Sequence, residues 1–148
     1  MSPTHRLGAV VVSRTGGGDA DGPAPRVVAF DRVVDAVQAA AQEIQGAQGP
    51  LRAVVDVTEL ADGVHPAAAT GRASALLAAA RGGQLLLTGG AAALPDEPPA
   101  DVELVDLGPH RFHGLPRPLP VVMACGPAFV AEPIRALDTV AAGLPVPP

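Results

Sequence analysis

Lysine is missing from this 148-residue chain, so all ten of its basic side chains are arginines. Tryptophan and tyrosine are absent too, and phenylalanine occurs only three times. Without large aromatics the core must be assembled from small aliphatic groups, each of which contributes modestly on burial. The single cysteine, Cys125, excludes an intrachain disulfide. No stretch approaches the run of about 20 apolar residues that a membrane-spanning helix needs. The N-terminal apolar run, Leu7 to Val12, is too short for a secretory signal. The expectation is a soluble cytoplasmic protein. Net charge is −5 with both signs interspersed, which argues against a nucleic-acid surface, since that requires clustered cations.

What is present is apolar and patterned. Hydrophobic residues make up 48% of the chain, enough for one domain with a core. "LGAVVVS" (7–13) reads as a buried strand, and the glycine-rich "RTGGGDADGPAP" as the loop after it. "RVVAF" (26–30) is a second strand. In "DRVVDAVQAAAQEIQG" the residues Phe30, Val33, Val34, Val37, Ala41 and Ile44 recur at helical spacing, with Asp31 as cap and Gly46 as stop. "LRAVVDVTEL" (51–60) is apolar on both faces and reads as a central strand. Pro66 suits a first helical turn, and Ala69, Ala73, Leu76, Leu77 and Ala80 form the stripe of a second helix, with Gly71 in its interior. "QLLLT" is a strand, "GGAAAL" a helical turn, and "VELVDL" and "LPVVMAC" are two strands joined through "GPHRFHGLPRP". The segment 127–148 shows little signal and reads as an extended proline-rich arm after a domain spanning 1–126.

Two stretches carry a resemblance. "VHPAAATGRASALLAAARGGQLLLTGGAAAL" followed by "VELVDLGPHRFHGLPRPLPVV" resembles the C-terminal half of the class III nucleotidyl cyclase homology domain. There a helix with an N-R-A-A-R-L-type motif runs into a G-G-Q strand, and a D-L-G-x-H hairpin follows. The similarity is strongest over 26–125. It implies an α+β, ferredoxin-like cyclase homology domain, N-terminally trimmed, with a mostly antiparallel sheet and helices packed on one face. "PIRALDTVAAGLPV" is similar to the linker that joins such domains to STAND-type NTPases in actinobacterial regulators.

The resemblance also sets a chemical test. Family members cyclise ATP or GTP using two metal ions held by aspartates, a ribose-positioning Asn, a phosphate-binding Arg and a purine-reading Lys. Counted back from "GGQ", the Asn place falls on Gly71 and the Arg place on Ala75. Arg72 stands one residue along, about 100° around a helix. If 7–13 is the family's first strand, the first metal aspartate's place falls near Val12 or Ser13; if it is the strand leading into the family's G-D-G hairpin, Gly17 stands where that hairpin's aspartate should, and Asp19 and Asp21 supply a carboxylate only if their loop folds back. No lysine exists to read the purine. The expectation is therefore a pseudoenzyme: no catalytic residues, no metal, no cofactor and no bound nucleotide. It acts in protein–protein interaction or signalling regulation, as a dimer or on a protein partner. Two alternatives stay open, a residual nucleotide-binding or cyclase activity completed by a partner subunit, and a scaffold or cargo subunit tethered by the arm.

Other chemically suggestive residues read as structural. His110 and His113 are three apart in a strand turn, which sends them to opposite sides, and no Asp or Cys lies at ligand spacing. His110 is expected to pack or to hydrogen-bond backbone. "RTGGGDADG" lacks the phosphate-loop lysine and carries anion-repelling aspartates. Cys125 reads as an inert, half-buried thiol, and His65–Pro66 as a helix start.

Overall fold

The computed structural model describes residues 5–15, 25–47, 51–61, 71–92, 99, 101–112, 115–127, 129 and 139–141. In chain order the elements are β1 (His5–Thr15), β2 (Arg26–Phe30), α1 (Val33–Gly46), β3 (Leu51–Ala61), α2 (Gly71–Ala79), β4 (Leu85–Thr88), α3 (Gly89–Ala92), β5 (Glu103–Phe112), β6 (Leu119–Cys125) and β7 (Thr139–Ala141). The strands form one seven-stranded sheet ordered β2-β1-β3-β4-β6-β5-β7. Every pairing is antiparallel except β3 with β4, the pair joined by the α2 crossover. The α+β class and the mostly antiparallel sheet expected from the sequence are present.

Alternation along the strands builds two cores. Ala9, Val11, Ala53, Val55, Val57, Leu85, Leu87, Val122 and Ala124 point to one face, where Val33, Ala36, Val37 and Ala40 of α1 and Ala91 of α3 cover them. This is the expected helix layer on one face. Val12, Val54, Leu86, Val121 and Met123 point the other way, and α2 covers them with Ala73, Leu76, Leu77 and Ala80. That second cover was not expected. Parity requires it, because β3 and β4 are apolar on both faces.

Several local details differ from the expected ones. The buried stripe of α1 centres on Val33, Ala36, Val37 and Ala40, with Ala41 and Ile44 at its margin. Its N-cap is Arg32, in extended backbone with no side-chain cap bond, so Asp31 stands one residue too early to cap. The described span of α2 begins at Gly71, and the residues before it, where the sequence places the start of the helix, lie outside the described residues. Pro66, His65 and Ala69 lie outside the described residues. β5 continues well beyond Leu107, because Gly108, at φ +79, absorbs a bulge and lets "GPHRF" rejoin the ladder opposite β6.

Beyond β6, Phe129 is buried against the α1-face core, and β7 pairs with the end of β5 through His110–Ala141 and Phe112–Thr139. No strand was expected there. Among the described residues no helix is long and apolar enough to cross a membrane.

Candidate functional site

The α2 face holds the buried polar side chains Arg52, Asp56, Gln84 and Thr88. They alternate along the parallel pair, two on β3 and two at the ends of β4. The far ends of parallel strands are where crossovers leave space for ligands in open sheets, and there stands Asp56, only 1% exposed.

One Asp56 oxygen is fully engaged. Oδ1 accepts from the Thr88 hydroxyl at 2.7 Å and from the Val57 amide at 2.8 Å. The same Thr88 oxygen accepts the Ala91 amide at 3.4 Å, so it caps the short α3 while donating to Asp56. The other oxygen, Oδ2, is buried without a hydrogen bond, although Arg72 Nε lies 3.2 Å away. The distance suits an ion pair, the direction does not suit a hydrogen bond, and Oδ2 is held by charge alone. Arg72 also donates to the Val57 carbonyl at 3.0 Å and leaves about half of its side chain in solvent.

At the other end of β3, Arg52 donates to the Ala80 carbonyl at 3.3 Å, past the last turn of α2. Four strand residues span about 13 Å and eight helical residues about 12 Å. The pairs 52–80 and 56–72 therefore clasp α2 at both ends, and the helix runs antiparallel to β3. Gln84 closes the α2–β4 turn by accepting the Arg81 amide at 2.8 Å.

The Asp56 carboxylate is tied to a hydroxyl, an amide and a guanidinium of its own chain. Among the described residues no three His, Cys, Asp or Glu side chains gather where they could hold a metal ion.

Of the positions singled out from the sequence, Val12 and Ala75 both lie against the α2-face core. Val12 and Ser13 are both buried, Val12 in the α2-face core. Gly71 is exposed, and a Cβ placed there would meet nothing within 4 Å. Ala75 packs at the margin of the α2-face core. Gly17, Asp19, Asp21 and His113 lie outside the described residues. His110 is part-buried with Nδ1 3.1 Å from the Gly108 carbonyl oxygen, the backbone contact expected of it. Cys125 is a half-buried free thiol ending β6.

Asp56 was missed. Its signal was present, a lone acid inside the apolar run "AVVDV", where an unpaired charge is costly and a partner must be sought elsewhere in the chain.

Two solved structures share this chain path. An adenylate/guanylate cyclase/hydrolase from Silicibacter pomeroyi superposes with a TM-score of 0.58 at 16% identity, covering 84% of this chain and 99% of that one. Adenylate cyclases from Trypanosoma brucei, solved in their monomeric state, superpose at 0.61 with 12% identity, over 89% of this chain and 94% of theirs.

The fold is cyclase-like.

No protein-family description matches the chain, and no curated protein matches it either. At these identities the likeness fixes the cyclase-like architecture alone. The cyclase-like sheet supplies the frame, and its own side chains fill the α2 face with the Asp56 clasp.

Proposed function

We propose that this chain is a non-catalytic cyclase-homology module that works through protein–protein contact. The observation that carries the reading is the helix α2. At the places where the resemblance puts a ribose-holding Asn and a phosphate-holding Arg, the chain has Gly71, with no side chain to offer, and Ala75, turned toward the core. Binding a triphosphate needs directed donors and cations, and stabilising its transition state needs them more. Three further features support the reading. Val12 and Ser13 offer no carboxylate, lysine is absent, and the nearby Arg72 is drawn onto Asp56 and the Val57 carbonyl.

Titration calorimetry with ATP and with GTP, each with Mn²⁺, tests the claim. The expected result is no heat of binding up to millimolar nucleotide and no cyclic product. Micromolar binding, or cyclic product on mixing with a second cyclase domain, would replace it with the partner-completed enzyme. A strict monomer in light scattering, with nothing captured in pull-down, would remove the interaction role.

A further inference from the structure

The two edges of the sheet are built differently. On the β5 side the ladder is interrupted between Asp106 and Gly108, Pro109 lies within the strand, Asp106 Oδ1 takes the Gly108 amide at 2.8 Å, and β7 covers the strand from His110 to Phe112. Bulges, prolines and acids are the devices by which sheet edges resist further pairing. On the opposite side β2 has none of them. Its five residues, Arg26–Phe30, pair with β1 in unbroken register and, among the described residues, with no other strand. One row of backbone donors and acceptors faces outward, and its natural complement is another extended backbone.

A groove runs beside this edge. The register sets Arg26, Val28 and Phe30 opposite Ser13, Val11 and Ala9, which places them on the α1 side. Between β2 and α1 a cavity of about 350 Å³ is lined by Val11, Val28, Phe30 and Ala39, with Arg26 and Glu43 at its wall. Arg26 uses one nitrogen on Glu43, at 3.0 Å, and its side chain remains 70% exposed. A guanidinium has five N–H donors, so it can take a second carboxylate.

We propose that β2 and this groove form a docking edge for an extended segment of a protein partner. The segment adds antiparallel to β2, with an apolar side chain opposite Val28 and an acidic one opposite Arg26. Because the strands run oppositely, the apolar residue precedes the acid by two positions. A second copy of this chain is the poorer occupant: pairing β2 with itself about Val28 brings Phe30, not an acid, opposite Arg26. The inference rests on the reading of the chain as an interaction module, and names the kind of partner.

The test uses the full chain and a fluorescent Thr-Val-Thr-Val-Thr-Glu-Thr peptide, followed by anisotropy. Saturable binding is expected, weakened about tenfold when the peptide Glu becomes Lys, as for loss of one charge-assisted hydrogen bond. Arg26→Glu should reverse that preference and Arg26→Gln abolish it, with both variants keeping the parent melting curve. N-methylating one alternate set of peptide amides should block binding, and methylating the other set should not.

No saturable binding, indifference to Arg26, or equal effects of the two methylation patterns would overturn the edge. So would a dimer in light scattering that excludes the peptide. If the peptide fails while a partner is still captured in pull-down, the edge falls and the module reading stands. Cyclic nucleotide production sinks the module reading whatever the peptide does.

Discussion

The two faces of the sheet solve one problem in different ways. Beneath α1 the core cluster is apolar throughout, with alanine on both sides of the contact, at 36 and 40 in the helix and at 9 and 53 in the strands. Beneath α2 a similar apolar layer is framed by charge: Arg52 at one end, Asp56 with Thr88 at the other. An aliphatic face sets how much apolar area is buried, and close packing sets how well it fits. It places the helix axis only loosely, since many apolar arrangements are nearly equivalent. A buried carboxylate with named partners has one good position. The α2 face thus gains register at some expense in desolvation.

Substitutions can break or sharpen this contrast. The largest effects should be the same on both faces. Leu86→Ala beneath α2 and Leu87→Ala beneath α1 both remove a fully buried side chain, and each should cost about 3 kcal/mol in urea unfolding. A difference above about 2 kcal/mol would mean that one face is poorly packed.

Next comes Asp56→Ala, expected at about 2 kcal/mol because the Thr88 hydroxyl and the Val57 amide lose their acceptor. Arg72 is half exposed and can return to water, so the larger penalty of a stranded buried charge is not incurred. A cost under about 0.5 kcal/mol would show that the carboxylate fixes nothing.

Thr88→Val should cost about 1.5 kcal/mol, removing a donor to Asp56 and the cap of α3 together. The mirror change, Val55→Thr beneath α1, should cost about as much for the opposite reason, a hydroxyl without a partner. Thermal melts of the two variants decide whether each face tolerates only its own chemistry.

The smallest effect belongs to the Arg72–Asp56 ion pair itself. A double-mutant cycle with Arg72→Gln and Asp56→Asn should give a coupling of about 1 kcal/mol, below the Asp56→Ala effect because one partner is solvated. Zero coupling would leave Thr88 and Val57 as the only true partners of Asp56.

Much of the fold was legible residue by residue. "RVVAF" and "LPVVMAC" form strands with the bounds read from the sequence, and the turn glycines after α2 lie where the pattern stops. Those signals are local: β-branched runs, periodicity and glycine. β5 was cut short at Leu107 because Gly-Pro reads as a turn, and only the pairing with β6 makes the bulge worthwhile. β7 was missed because "TVA" has no strand signal of its own and forms by pairing with the end of β5. Of the candidate site, the sequence could show that Gly71 and Ala75 lack the expected side chains. It could not show where Arg72 would turn, which depends on how α2 lies across β3.

By itself the sequence determined which segments extend, which coil and which residue types the chain lacks, since propensity, period and residue identity are carried within a few neighbours. Tertiary structure decided that α2 covers its own face, that β2 is the terminal strand of the sheet among the described residues, and that Asp56 meets Thr88, 32 residues away, and Arg72. Those outcomes follow from strand order and from the parity of side chains about the sheet, and neither is fixed until distant strands pair.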